Sequence, residues 1–148
     1  MRKINKIVVH CTASSENTSV QNILSHFAAL GWHNPGYHYL VDCNGDITQL
    51  LPEDLIANGA KGHNRDSIHV AYIGGLKNGK PCDTRTQPQK DTMLSLITQL
   101  SAKYPSAKVM GHRDLSPDTN NDNHITRKEW LKQCPCFDVR QWLHASSL

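Results

Sequence analysis

Two histidines stand where short strands should end: His10 in "VVHCTAS" and His112 in "VMGHRDLS". Strand ends are rigid and lie at the rim of a sheet, so side chains there can be held at fixed separation around an ion. In a chain with nine histidines, any single one is ordinarily a surface or hydrogen-bonded residue. The pair gains meaning from "WLKQCPCFD" downstream, where Cys134 and Cys136 flank Pro135. Two imidazoles and one thiolate form a three-ligand set suited to zinc, with a fourth position for water. Open sets of this kind are catalytic, whereas a structural zinc takes four protein ligands. Spacing by itself leaves open which cysteine joins the histidines.

A second constellation lies between them. "DTNNDNHITRKE" follows the ligand order of a calcium-binding loop. Asp118, Asn120 and Asp122 take the first, third and fifth positions. His124 supplies a carbonyl, Ile125 the apolar position, Thr126 the ninth place and Glu129 the last. Asn123 stands where glycine is usual, and asparagine is the next best residue for a left-handed backbone. The same composition also suits a plain polar surface loop.

These residues need a frame. "KIVVH" reads as a buried strand ending at His10, and "TSVQNILSHFAALG" as a helix with Val20, Ile23, Leu24, Phe27 and Leu30 on one face. Ser19 can cap that helix and Gly31 can end it. "GYHYLVD" and "DITQLL" are strand-like and joined through Asn44-Gly45, a hairpin signal. "SIHVAYIGG" is a further strand. "TQPQKDTMLSLITQLSAKYP" is the clearest helix, with Pro88 in its first turn and Pro105 as its stop. Its expected apolar stripe is Met93, Leu94, Ile97, Leu100 and Tyr104. "AKVMGH" is a short strand ending at His112, and "FDVRQWLHA" a last helix capped by Asp138, with Trp142 and Leu143 inward. Strand, helix, hairpin, strand, helix, strand, helix describes an α/β fold: a mixed sheet flanked by helices, with a groove at the strand ends.

The 148 residues suit one domain over the whole chain, and the composition is that of a globular protein. A formal charge of +3 is mildly basic and would favour a polyanionic surface. No stripe of Lys and Arg marks a nucleic-acid binder, and no apolar run approaches the roughly 20 residues of a membrane span. The apolar stretch Ile7 to Val9 is too short for a secretory leader, so synthesis in the cytoplasm is expected. A monomer is the expected state. Five scattered cysteines argue against a disulfide framework and for buried, catalytic or metal-bound thiols.

"IVVHCTAS", "GWHNPGYHYLVDCNGDI", "AKGHNRDSIHVAYIGG", "VMGHRDLSP" and "KQCPCFDVRQW" occur in that order. Together they resemble the zinc-dependent N-acetylmuramoyl-L-alanine amidases of the phage-lysozyme and peptidoglycan-recognition type, from about Lys6 to Trp142. The resemblance implies one zinc in an open groove. It also implies cleavage of the amide between muramic acid and the first L-alanine of peptidoglycan, as by a phage or prophage endolysin acting on the wall after release or export. It implies His10, His112 and Cys134 as zinc ligands, with Cys136 in a small-residue position. Tyr37 and Lys132 match the family's catalytic positions, one of them protonating the leaving amine, and Asn64 and Ser67 match substrate-facing positions. Gly59 departs from the pattern, because the family often carries a histidine there.

Two other readings remain. A non-catalytic peptidoglycan-binding module would share the motifs, although such receptors commonly lack the ligand cysteine. A cysteine hydrolase would use Cys11 with a nearby histidine. The calcium loop is tested separately: terbium luminescence is expected in the wild-type protein and lost in Asp118→Ala/Glu129→Ala, and a signal that persists unchanged in that variant rules the loop out.

Overall fold

The computed structural model describes residues 2–116 and 133–146. Among these residues seven strands and three α-helices run in the order β1 (Lys6–Cys11), α1 (Val20–Ala29), β2 (Tyr39–Val41), β3 (Ile47–Gln49), β4 (Ser67–Tyr72), β5 (Leu76–Lys77), β6 (Lys80–Pro81), α2 (Gln87–Lys103), β7 (Lys108–Gly111) and α3 (Val139–Ala145). The main sheet has the order β3-β2-β4-β1-β7. β1 pairs in parallel with both β4 and β7, β2 pairs in parallel with β4, and β3 is an antiparallel edge. This is the mixed α/β sheet that the alternation of elements predicts.

Central position explains why β1 and β4 read as nearly continuous apolar runs, since both of their faces are covered. Alternate residues face opposite sides. On one side Val9, Cys11, Val41 and Tyr72 pack with Met93 and Ile97 of α2 and with Val139 and Leu143 of α3. Ile7, Ile68 and Val70 continue that layer against Leu96 and Leu100. On the other side Leu40, Ala71 and Ile73 pack with Ile23 and Phe27 of α1. The α2 stripe differs from the periodicity: Leu96 is buried, while Leu94 and Tyr104 are only partly so.

The end signals act as their chemistry dictates. The Ser19 hydroxyl accepts from the Asn22 amide at the start of α1, and the Asp138 carboxylate from the Gln141 amide at the start of α3. The β2–β3 loop has three residues between its closing pair, with Asp42 N–H donating to the Asp46 carbonyl and Gly45 at φ 84°. Strand β7 stops at Gly111, and His112 instead opens a 3-10 turn, His112–Leu115. The β5–β6 ribbon is too short to be read from sequence. No helix among the described residues is long and apolar enough to cross a membrane.

Gln89 ties α2 to the sheet. Its side-chain oxygen accepts from the Thr86 amide, completing a capping box. Its side-chain nitrogen donates to the Val41 and Ile73 carbonyls, and the residue is fully buried. Gln89→Leu keeps the volume but leaves these groups unmatched, so it is expected to cost about 2 kcal/mol in urea unfolding. A loss below the measurement error would refute that role.

Candidate active site

The two distant histidines meet through strand register. β1 and β7 pair Lys6 with Lys108 and Val9 with Gly111. One residue further on, His10 and His112 lie side by side, 102 positions apart in sequence, with their Nδ1 atoms 3.2 Å apart. Cys134 Sγ is 3.9 Å from His10 Nδ1. Ligand atoms of the three residues all lie within 4.8 Å of one another, and this is the His/Cys/Asp/Glu group able to hold a metal ion among the described residues. It sits beyond the carboxyl ends of parallel strands, where open α/β sheets place their sites.

The Cys134 segment is pinned onto the sheet end by backbone contacts. Arg113 N–H donates to the Cys134 carbonyl at 2.8 Å, and the Tyr72 hydroxyl to the Pro135 carbonyl at 2.7 Å. Gly111 permits this approach: a Cβ there would stand 2.8 Å from Pro135 Cδ. Phe137 and Val139 then bury into the core. Cys11 N–H donates to Cys134 Sγ at 3.1 Å, a bond that becomes charge-assisted once that sulfur is a thiolate. Cys136 points elsewhere, with its thiol 3.5 Å from the Gly75 carbonyl.

Tyr37 stands over the cluster. Its ring centroid is 5.2 Å from that of His10, and its hydroxyl donates to the Cys11 carbonyl at 3.3 Å. Its groove is lined also by His10, His112, Cys134, Phe27, Trp32 and Gly59. Trp32 is 40% exposed and stacks on Phe27, so it offers a flat apolar face at the rim. Asn64 lines an adjoining recess with His112, Lys61 and Trp32. Ser67 is fully buried, and its hydroxyl donates to the His63 carbonyl. Its side chain therefore closes the start of β4 rather than lining the groove. Lys132 and the calcium-loop residues Asp118, Asn120, Asp122, His124 and Glu129 lie outside the described residues.

Sequence reasoning missed His69. It is fully buried on β4, with Nδ1 2.8 Å from His10 Nε2 and Nε2 2.9 Å from Asn64 Oδ1. Its backbone N–H donates to His38 Nδ1, and His38 Nε2 lies 2.8 Å from the Leu55 carbonyl. The available signal was a histidine inside "SIHVAYI", a strand otherwise apolar enough to be buried on both faces.

With fold and site in place, comparison defines the class. The family model described as N-acetylmuramoyl-L-alanine amidase matches residues 1–135, and the chain belongs to this family. It is 30% identical over 145 residues to the endolysin of Escherichia phage T7, covering 96% of this chain and 87% of that protein. Its fold is similar to that of the N-acetylmuramoyl-L-alanine amidase LysC from Clostridium intestinale, at TM-score 0.75 and 22% identity over 99% of this chain and 87% of that one. It is also similar to PGRP-SA of Apis mellifera, at TM-score 0.73 and 22% identity over 97% and 83%.

Electrostatics separates the site's groups. The hydrogen bond to Cys134, together with burial, pushes the Cys11 thiol up to about 12, so it stays protonated at neutral pH and makes a poor nucleophile. Burial raises the Tyr37 phenol well above its ordinary value, keeping it a donor. Burial pushes the His69 imidazole down to about 3 and lowers His38 as well. An unfolded histidine takes up a proton near pH 6.5, while folded His69 does so only near 3. The unfolded state therefore binds more protons across that window, and stability falls as pH drops through it. The melting temperature of metal-stripped protein is expected to fall between pH 7 and pH 4, with a shallower slope in His69→Gln. An unchanged slope in that variant would contradict this assignment.

Proposed function

We propose that this amidase is a zinc enzyme whose metal is held by His10, His112 and Cys134. Cleavage of peptidoglycan at the muramic acid–L-alanine amide, the work of an endolysin, follows from the family and from the phage relatives. The observation that carries the zinc reading is the convergence of two Nδ1 atoms and one Sγ. Around a tetrahedral zinc, with bonds of about 2.0–2.1 Å to nitrogen and about 2.3 Å to sulfur, ligand atoms stand about 3.3 Å (N to N) and about 3.6 Å (N to S) apart. The two separations from His10 Nδ1, 3.2 and 3.9 Å, lie near those values, and the third pair, His112 with Cys134, lies within 4.8 Å. The donor set also favours zinc chemically, since thiolate and imidazole are its preferred ligands while magnesium and calcium take oxygens. Three protein ligands beside an open groove leave room for water and substrate.

When bound, zinc brings the pKa of a coordinated water to about 7 and polarises the amide carbonyl. The chain's own groups do the rest. The half-buried Tyr37 keeps its hydroxyl protonated and, with its ring 5.2 Å from that of His10, is the donor for the oxygen that gains charge in the transition state. Lys132, by its motif position, serves as the second donor, and one of the two delivers the proton that the leaving amine requires. The rings of Phe27 and Trp32 give the open groove an apolar lining. A binding module would need none of this donor set, and retention of Cys134 against both histidines favours the enzyme.

Purified sacculi digested by the protein should release peptides beginning with L-alanine and leave the glycan chains intact. The chelator 1,10-phenanthroline should abolish that release and added zinc should restore it. Tyr37→Phe should lower kcat about 100-fold. Release that is unaffected by chelator, or products that are glycan fragments, would refute the reading.

A further inference from the structure

His69 belongs to neither the three ligands nor the motif-matched residues, yet it touches a ligand directly. Its ring lies among other imidazoles, 4.9 Å from His10 and 6.1 Å from His38 between centroids. The hydrogen bonds around it define where each proton must be. The Ala60 backbone N–H can only donate, and it points at Asn64 Oδ1 at 2.8 Å. The Asn64 carbonyl oxygen, not its amide nitrogen, therefore faces inward. That oxygen stands 2.9 Å from His69 Nε2, so Nε2 carries the proton. A neutral imidazole carries one proton, which makes His69 Nδ1 an acceptor. The group 2.8 Å from it, His10 Nε2, must be the N–H. His10 Nδ1 is then unprotonated, and Nδ1 is the atom that faces His112 and Cys134.

We propose that His69 is a positioning residue of the metal centre: with Asn64 and the Ala60 amide it holds His10 in the Nε2–H tautomer and aims the Nδ1 lone pair at the ion. The inference rests on the metal reading above. It assigns to a neutral imidazole the work that a carboxylate or carbonyl commonly does behind a histidine ligand. A neutral partner suits the place, because His69 and His10 are at most 1% exposed and an ionised carboxylate there would pay a heavy desolvation cost.

Gly59 gives independent support. A Cβ at this position would stand 2.4 Å from His69 Nδ1 and 2.5 Å from its Cγ. The loop backbone is thus pressed against the very nitrogen that accepts from His10, and any side chain at position 59 would push the ring away. The missing side chain in "NGAKGHN" and the extra imidazole in "SIHVAYI" are two halves of one arrangement. Asn64 shares in it: its oxygen, shared between the Ala60 amide and His69, sets the start of the chain of protons.

The test titrates metal-stripped protein with zinc alone against a competing chromophoric chelator, alongside long-range proton–nitrogen NMR of the His10 ring. His69→Ala, Asn64→Leu and Gly59→Ala should each weaken zinc binding about 10- to 100-fold. Gly59→Ala should add little in the His69→Ala background, because its effect passes through that ring. In wild-type apoprotein His10 should show a proton on Nε2 and none on Nδ1, and in His69→Ala a mixture of tautomers. Equal zinc affinity in wild type and His69→Ala overturns the inference, as does a wild-type His10 protonated on Nδ1. The NMR arm needs only the wild-type protein, so it decides even if a variant fails to fold. Wild-type protein that takes up no zinc would instead sink the metal reading itself, and the inference with it.

Discussion

Parallel pairing of β1 between β4 and β7 is the constraint on which the site depends. The β1–β7 register sets His10 beside His112, and the β1–β4 register sets His69 beside Val8, one pleat behind His10 on the same face. A slip of one residue in either pairing would turn an imidazole to the opposite face of the sheet. That face is filled by Val9, Cys11 and Tyr72 packed on α2 and α3, so the slip would also bury a polar ring in the apolar layer. Core packing therefore enforces the same register that the proposed metal site requires.

The third residue of the proposed ligand set arrives by another route. Cys134 lies on an irregular segment whose position is set by bonds to the ends of the strands: Arg113 N–H, the Tyr72 hydroxyl and Cys11 N–H all reach it or its neighbour Pro135. The ends of β1 and β7 thus present two of the proposed ligands, and the third is received as a docked clip. Phe137 and Trp142 just downstream pack on each other and on Arg85, whose guanidinium lies 3.3 Å from the Phe137 ring centre, and this anchors the clip at its far end.

Much of this was legible in the sequence, for physical reasons that vary by element. β1, β4 and α2 were readable because burial on both faces, or on one helical stripe, imposes a period on the residues. The ends of α1 and α3 were readable because an unsatisfied first turn demands a side-chain acceptor, which Ser19 and Asp138 provide. Convergence of His10 with His112 was not readable from spacing, because register is a property of two strands and neither carries it alone. Family motifs supplied that pairing and singled out Cys134 over Cys136. His69 escaped because motif matching looks for shared residues, and its significance lies in contacts with His10 and Asn64 that only coordinates reveal. Ser67 shows the converse: its motif position suggested substrate, while burial commits its hydroxyl to the His63 carbonyl.

The central claim is that one zinc ion joins two imidazoles and one thiolate. X-ray absorption at the zinc edge of the purified holoprotein tests it most directly. The spectrum should show a single sulfur at about 2.3 Å, with nitrogen or oxygen neighbours at about 2.0 Å that include two imidazole rings. A first shell without sulfur, or protein that retains no stoichiometric zinc, would contradict it.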